Sequence, residues 1–304
     1  MPKKIKKQRN KKQRQVTSTT TACESKFSST CSEVESLPLE EQIFLSKISV
    51  HCDVTFHSSK KKKDEVNKIV NQATTILERY HMCILHDILS HENIQSIYSE
   101  YEALLDFKGD SAIGEKDASK RSGTRIYNCK CQVGPACKFH GWKKGSEQSK
   151  NILHSQRSNN GLSVWERVTN HFGFEHVARV EVVTSHPGCR DQGWHTDGAH
   201  GLTVIFPLVG VDLRKGPTQM DFVTPFNSLH VNRGKVGGKK KSPDAPDSAR
   251  AAMPSGSVVL FNANMSHRGT ANLSKSGRPI LVLDCSPKCE HESESIWNVE
   301  HSAP

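Results

Sequence analysis

The sequence has no apolar run of about 18 residues, the length a helix needs to cross a bilayer. Its N-terminus is polar throughout and has no apolar block of the kind a secretory leader needs. Aromatic residues are scarce, at 6%, and only 35% of the chain is hydrophobic. So little apolar material implies that part of the 304 residues stays outside any packed core. The 10 cysteines are too thinly spread for a secreted, disulfide-stapled domain, which would be shorter and denser in cysteine. They read as reduced thiols or metal ligands of an intracellular protein, cytoplasmic or nuclear. Acids are missing from the start of the chain, where Lys3, Lys4, Lys6, Lys7, Arg9, Lys11, Lys12 and Arg14 accumulate. That run holds most of the formal charge of +10, and the rest of the chain is nearly neutral.

Residues 1–60 therefore read as a basic, then Ser/Thr-rich, largely disordered tail. Such a composition buries too little apolar surface to offset its ordering entropy. The tail fits a nuclear-localisation patch, an RNA-binding arm or a solubilising extension, and charge alone does not choose among them. A domain is expected over 61–290, with core motifs at 179–286, followed by a short C-terminal tail at 291–304.

Within the domain, Val66, Ile69, Val70, Ala73, Ile76, Leu77 and Tyr80 recur at helical spacing from Asp64 onward. The preceding lysines, Lys60 to Lys63, read as a solvated run. Cys83 to Leu85 suggests a strand. A second helix is expected after Ser90, and a third from Ser163, where Ser163 and Glu166 have capping-box spacing. After residue 178 the rhythm changes to short strand-like runs at 179–185, 202–209, 218–223, 257–261 and 279–284. Glycine and proline punctuate them, which suggests a sandwich or jelly roll rather than alternating strands and helices. Residues 228–252, basic at Arg233, Lys235 and Lys239 to Lys241, read as a long loop.

The chemistry centres on His195-Thr196-Asp197, His267 and Arg278. Residues i and i+2 of an extended segment point to one side, and a third ligand from another strand completes a two-histidine, one-carboxylate face for ferrous iron. The tripeptide alone is weak, since chance supplies about 0.7 such patterns in this composition. A second one, His51-Cys52-Asp53, lies outside the β-rich half and reads as structural or surface.

Context sharpens the reading. The stretch Gln192-Gly193-Trp194-His195-Thr196-Asp197-Gly198 resembles the iron-binding segment of the phytanoyl-CoA dioxygenase-like family, a branch of the Fe(II)/2-oxoglutarate dioxygenases. Gly216-Pro217-Thr218-Gln219-Met220 is similar to that family's next strand. Ser255 to Phe261, running on to His267-Arg268-Gly269-Thr270, resembles its distal-histidine block. Leu77 to Leu105 resembles its opening strand and helix.

The resemblance implies a mainly β fold with flanking helices, a double-stranded β-helix (jelly roll). It implies Fe(II) on His195, Asp197 and His267, with 2-oxoglutarate as co-substrate. Arg278, eleven residues after His267, takes the place of the family's co-substrate arginine. A guanidinium suits that role because it pairs bidentately with a carboxylate. The implied reaction is hydroxylation of a substrate C–H bond, with succinate and CO2 as co-products. Retention of Asp197 disfavours the halogenase variant. Many relatives carry a hydroxyl residue where Gly269 stands here, so Thr270 becomes the candidate second contact to the co-substrate. The family's Pro-Gly-Ser-His is also replaced, by Thr224-Pro225-Phe226-Asn227-Ser228-Leu229-His230, which leaves the substrate-facing rim unassigned.

The substrate reading is a small molecule, without a membrane. Nucleic acid through the basic tail, protein, and a non-catalytic binding role on the same fold are the alternatives. Cys129, Cys131, Cys137 and His140 form a candidate zinc set, although their spacing is irregular. Trp194 reads as packing beside the iron or in the core.

Overall fold

The computed structural model describes residues 37–52, 60–106, 120–129, 140–155, 163–197, 201–224 and 244–287. In chain order the elements are α1 (Leu39–Lys47), β1 (Ser49–His51), α2 (Lys60–Tyr80), β2 (Met82–His86), α3 (His91–Asp106), β3 (Arg121–Asn128) and β4 (Gly141–Trp142). They continue with α4 (Glu147–Ser155), α5 (Val164–His171), β5 (His176–Ser185), β6 (Leu202–Pro207), β7 (Thr218–Asp221), β8 (Ser248–Ala251), β9 (Val258–Asn262), β10 (His267–Gly269) and β11 (Arg278–Ser286).

An eight-stranded sheet runs in the order β1-β2-β9-β6-β11-β5-β3-β4, and a three-stranded sheet runs β10-β7-β8. All pairings are antiparallel except β1 with β2. This is the expected mainly β jelly roll with flanking helices. Alternation gives the large sheet two faces. Its outer face meets the helices: Trp165 of α5 packs edge-on against Phe206 of β6, and the Tyr101 hydroxyl of α3 lies 2.6 Å from that of Thr184 of β5. Its inner face, carrying Ser185, Thr203, Ile205, Phe261, Arg278 and Asp284, turns toward the small sheet.

The helix expected from Asp64 starts at Lys60, so the lysine run forms its first turn. The helix expected at Ser163 has the full capping box, with Ser163 Oγ accepting from the Glu166 amide and the Glu166 carboxylate accepting from the Ser163 amide. Two expectations change. Residues 37–52 belong to the domain rather than to the tail. Leu37, Phe44, Leu45, Ile48, Val50 and Cys52 are all buried, and β1 pairs with β2. The long loop expected over 228–252 ends in a strand, because β8 completes the small sheet against β7. The basic segments 1–15 and 233–241 lie outside the described residues, as does the tail 291–304.

Phe44 anchors the added N-terminal unit, with edge contacts to Tyr80 at 5.4 Å and Phe222 at 4.9 Å. Phe44→Ala should destabilise the domain by about 3–5 kcal/mol, read as a lowered denaturation midpoint in urea. An unchanged midpoint would show that this unit docks without supporting the core.

Candidate metal and co-substrate site

His195 lies ten residues beyond the end of β5, on an extended segment outside the named strands. Two backbone hydrogen bonds hold it there. The His195 amide donates to the His267 carbonyl at 3.0 Å, and the His267 amide donates back at 2.8 Å. The Asp197 amide donates to the Ala263 carbonyl at 2.9 Å. The segment is thus laced to β10 and to the turn before it. Residues 195 and 197 consequently face the same way as residue 267.

The result is a compact donor set. One ligand atom from each of His195, Asp197 and His267 lies within 4.8 Å of the other two. Adjacent ligands at metal–ligand bonds of about 2.1 Å sit about 3 Å apart, so small side-chain adjustments close these residues on one ion. Both histidines are fixed in the same tautomer. His195 Nδ1 bonds the Gly193 carbonyl at 2.9 Å, and His267 Nδ1 bonds the Met265 carbonyl at 3.0 Å. A ring nitrogen facing a carbonyl must carry the proton, so Nε2 is the nitrogen each ring can offer a metal. Burial lowers the His267 pKa, against the opposing pull of Asp197, and this too favours the neutral ring. Phe261 packs edge-on to the His267 ring at 4.8 Å. Thr203 donates its hydroxyl to Asp197 Oδ2 at 2.7 Å and fixes the carboxylate.

Beside this set lies a second feature. Arg278 is 2% exposed and has no ion pair among the described residues. Its Nη2 donates to Ser185 Oγ at 2.8 Å, while its Nε is buried without a partner. Burial, then the neighbouring Arg121, pulls its pKa down to about 10. Arg121 of β3 donates to the same Ser185 hydroxyl at 3.0 Å and also to the carbonyls of Arg190, Gly269 and Thr270. Around Gly269 the chain is packed too closely for a side chain. A Cβ there would lie 2.7 Å from Gln192 Oε1 and 3.4 Å from the Nη2 atoms of both arginines. The sequence reading missed Arg121 and Gln192. Arg121 gave no signal, being far from the motifs in sequence, whereas Gln192 stood inside the quoted motif unremarked.

Other expected residues resolve differently. Thr270 does not take the place of the missing hydroxyl. It alternates to the outer face of the small sheet, where its hydroxyl donates to the Pro217 carbonyl at 2.8 Å. On that face a shallow depression of about 360 Å³, lined in part by Glu41, Gln219, Arg250 and Arg268, lies away from the histidines. Trp194 is 45% exposed, with the Arg268 guanidinium 4.7 Å above its ring, so it packs neither on the ligands nor in the core. His51 stacks on His86 at 4.7 Å, remote from the site. The zinc reading of Cys129, Cys131, Cys137 and His140 is not supported. Cys129 is buried and engaged in a disulfide, which removes its thiolate and also departs from the expectation of reduced cysteines. Cys131 and Cys137 lie outside the described residues. No described helix is long and apolar enough to cross a membrane.

No protein-family model matches the chain, and no curated protein sequence does. Solved structures do. The non-heme alpha-ketoglutarate-dependent carbocyclase SnoK from nogalamycin biosynthesis aligns at 14% identity with a TM-score of 0.50, covering 73% of this chain and 85% of that one. The epimerase SnoN of the same biosynthesis, solved in complex with Fe3+, alpha-ketoglutarate and nogalamycin RO, aligns at 13% identity with a TM-score of 0.52, covering 73% and 84%. At such identity the likeness is one of fold.

Thr203 makes a test of the site's second layer. Thr203→Val should weaken Mn(II) binding about 10- to 100-fold in calorimetric titration, the usual cost of losing the group that orients a ligand. The chain shares its jelly roll with alpha-ketoglutarate-dependent, non-heme enzymes, and it brings two histidines and an aspartate together inside it.

Proposed function

We propose that the chain is an Fe(II)- and 2-oxoglutarate-dependent oxygenase of the phytanoyl-CoA dioxygenase-like type that hydroxylates a C–H bond. The observation that carries this reading is the wholly buried, acid-free Arg278 guanidinium beside the His195, Asp197 and His267 donor set. An unpaired buried cation is costly, and removing its solvation is tolerated when a ligand anion supplies the missing partner. The residues present fit both groups. Two neutral imidazoles and a carboxylate suit ferrous iron and leave open positions for co-substrate and oxygen. The unpartnered Arg278 Nε, with the Arg121 guanidinium nearby, suits the far carboxylate of a dicarboxylate.

In this reading His195 and His267 offer Nε2, each ring held by its Nδ1–H bond to the backbone. Asp197 supplies the single charged ligand, oriented by Thr203. Arg278 binds and orients the distal carboxylate, Ser185 spaces the two guanidiniums, and Arg121 adds a second positive charge. Gln192 holds the Gly269 amide and so fixes the end of β10. The apolar wall of Phe261, Val259 and Ile205 excludes water from one side. Bound iron with 2-oxoglutarate would supply the oxidising power, with succinate and CO2 as co-products.

Succinate release from 2-oxoglutarate under air, with added Fe(II), is the direct test. Asp197→Ala and His267→Ala should each abolish it, and turnover surviving in both purified variants overturns the assignment. Arg278→Lys keeps the charge but loses the planar fork, and should raise the 2-oxoglutarate KM by about 10- to 100-fold. An unchanged KM would place the co-substrate carboxylate elsewhere.

A further inference from the structure

The inner face of the large sheet divides into two unlike halves. On β2, β9 and β6 it carries Met82, Ile84, Val259, Phe261 and Ile205, at most 5% exposed, with Thr203 the polar exception. On β3, β5 and β11, past a row of Gly123, Val183 and Ile280, it carries Arg125, Arg179, Glu181 and Asp284, with Val282 among them. Register puts these four in adjacent rows. Arg125 is the partner of Glu181 across β3 and β5, and Arg179 is the partner of Asp284 across β5 and β11. They alternate in sign and pair with one another. Arg179 Nε lies 2.7 Å from Asp284 Oδ2, Arg179 Nη1 lies 3.5 Å from Glu181 Oε2, and Arg125 Nε lies 3.9 Å from the same Glu181 oxygen.

This charged half adjoins the donor set directly. Asp284 is the β11 partner of Thr203 in β6, and Thr203 holds Asp197. It is also open. The side chains of Arg125, Arg179 and Asp284 are 40%, 31% and 26% exposed, and Val282 beside them is half-buried.

Charged groups facing the interior of a jelly roll are expensive to keep there, and well-packed apolar residues would stabilise the fold as well or better. Few, fixed polar groups in a pocket set the orientation of a ligand. Resting on the iron and 2-oxoglutarate reading, we infer that Arg125, Arg179, Glu181 and Asp284 form the substrate wall. It takes a polar, neutral or zwitterionic molecule bearing hydrogen-bond donors and acceptors, not an acyl chain. The two arginines offer donors, the two carboxylates accept, and their charges sum to zero, so a strongly charged substrate is not selected. An acyl chain laid on this wall would strip water from the ion pairs and return no hydrogen bond.

The test uses the full chain loaded with Mn(II) and 2-oxoglutarate. The bound paramagnetic ion broadens the proton NMR lines of any molecule seated beside it. Three four-carbon probes are compared: erythritol, γ-aminobutyrate and n-butanol. At least one of the two polar probes should broaden about tenfold more than butanol, the worth of one hydrogen bond to a charged group. Erythritol alone would assign a neutral substrate, and γ-aminobutyrate alone a zwitterion. The double substitution Arg179→Met with Asp284→Leu removes the closest ion pair, leaves Glu181 to Arg125, and should abolish the polar preference. Arg125→Met, at a side chain 40% exposed, removes one wall charge and should reduce the preference without endangering the fold. Equal or stronger broadening of butanol by the unmodified chain overturns the inference, as does a double variant that keeps the polar preference. If the lines of 2-oxoglutarate itself stay sharp, the metal and co-substrate reading has failed, and the inference falls with it.

Discussion

The site depends on two hydrogen bonds between the backbones of His195 and His267, one in each direction. The segment from Pro187 to Asp197 is otherwise a loop leaving β5, tied at Gln192 to the end of β10 and at Asp197 to the turn before it. Ordering such a segment costs about 1–2 kcal/mol per residue in backbone entropy, more than metal ligands on a loose loop recover with good geometry. The reciprocal bridge converts the loop into an extra edge of the small sheet. It also couples the ligands in pairs, since moving one histidine backbone breaks both bonds to the other. The Nδ1 bonds then use the same economy. Each imidazole is oriented by the carbonyl two residues before it, so the strand that carries the ligand also sets its tautomer.

A second constraint acts at the other end of the sheet. Arg121 and Arg278 share one hydroxyl, on Ser185, and neither has a carboxylate partner among the described residues. Two like charges held this close weaken the unliganded fold, and the chain offsets this locally. Arg121 spends most of its donors on the carbonyls of residues 190, 269 and 270. It therefore ties the loop that carries the first ligands to the strand that carries the last one. Arg278 keeps its Nε unspent. The division of labour is physical: one guanidinium is consumed by structure, and in the proposed reading the other serves an anion. Gly269 belongs to the same arrangement, because any side chain there would meet Gln192 and both arginines at once.

What could be read from the sequence follows from this. The helices α2, α3 and α5 carry regular apolar spacing or a cap, β6 and β9 are runs buried on both faces, and β5 and β11 are mostly buried apolar runs, so all were legible. The ligand set was legible because its spacing came with family-like neighbours, not from the spacing alone. β3 was not legible, although it spans eight residues. Its inner-facing positions are Arg121, Gly123 and Arg125, so the alternation that marks a half-buried strand is absent where the site needs charge. α1 and β1 were hidden for another reason: their elements are short, and their core contacts come from residues distant in sequence, such as Phe222. Thr270 misled because adjacency along a strand is the opposite of proximity across it.

The failure at β3 and the division of the inner face have one cause. A jelly roll needs only part of its interior to be a sealed core. Here β2, β9 and β6 supply that part, backed by buried residues of α2 and β1. The remaining strands are then free to carry charge inward, and they do so at a cost that falls on individual groups. Burial pushes the pKa values of Glu181 and Asp284 up, and the Arg179 guanidinium between them opposes that shift for both. Arg179 therefore favours the ionised form of both carboxylates against the pull of burial. Apolar residues in these rows would fold as well, so stability alone does not account for them. The inferred recognition of a polar molecule would account for them, because the half-open rows of β3, β5 and β11 adjoin the candidate donor set.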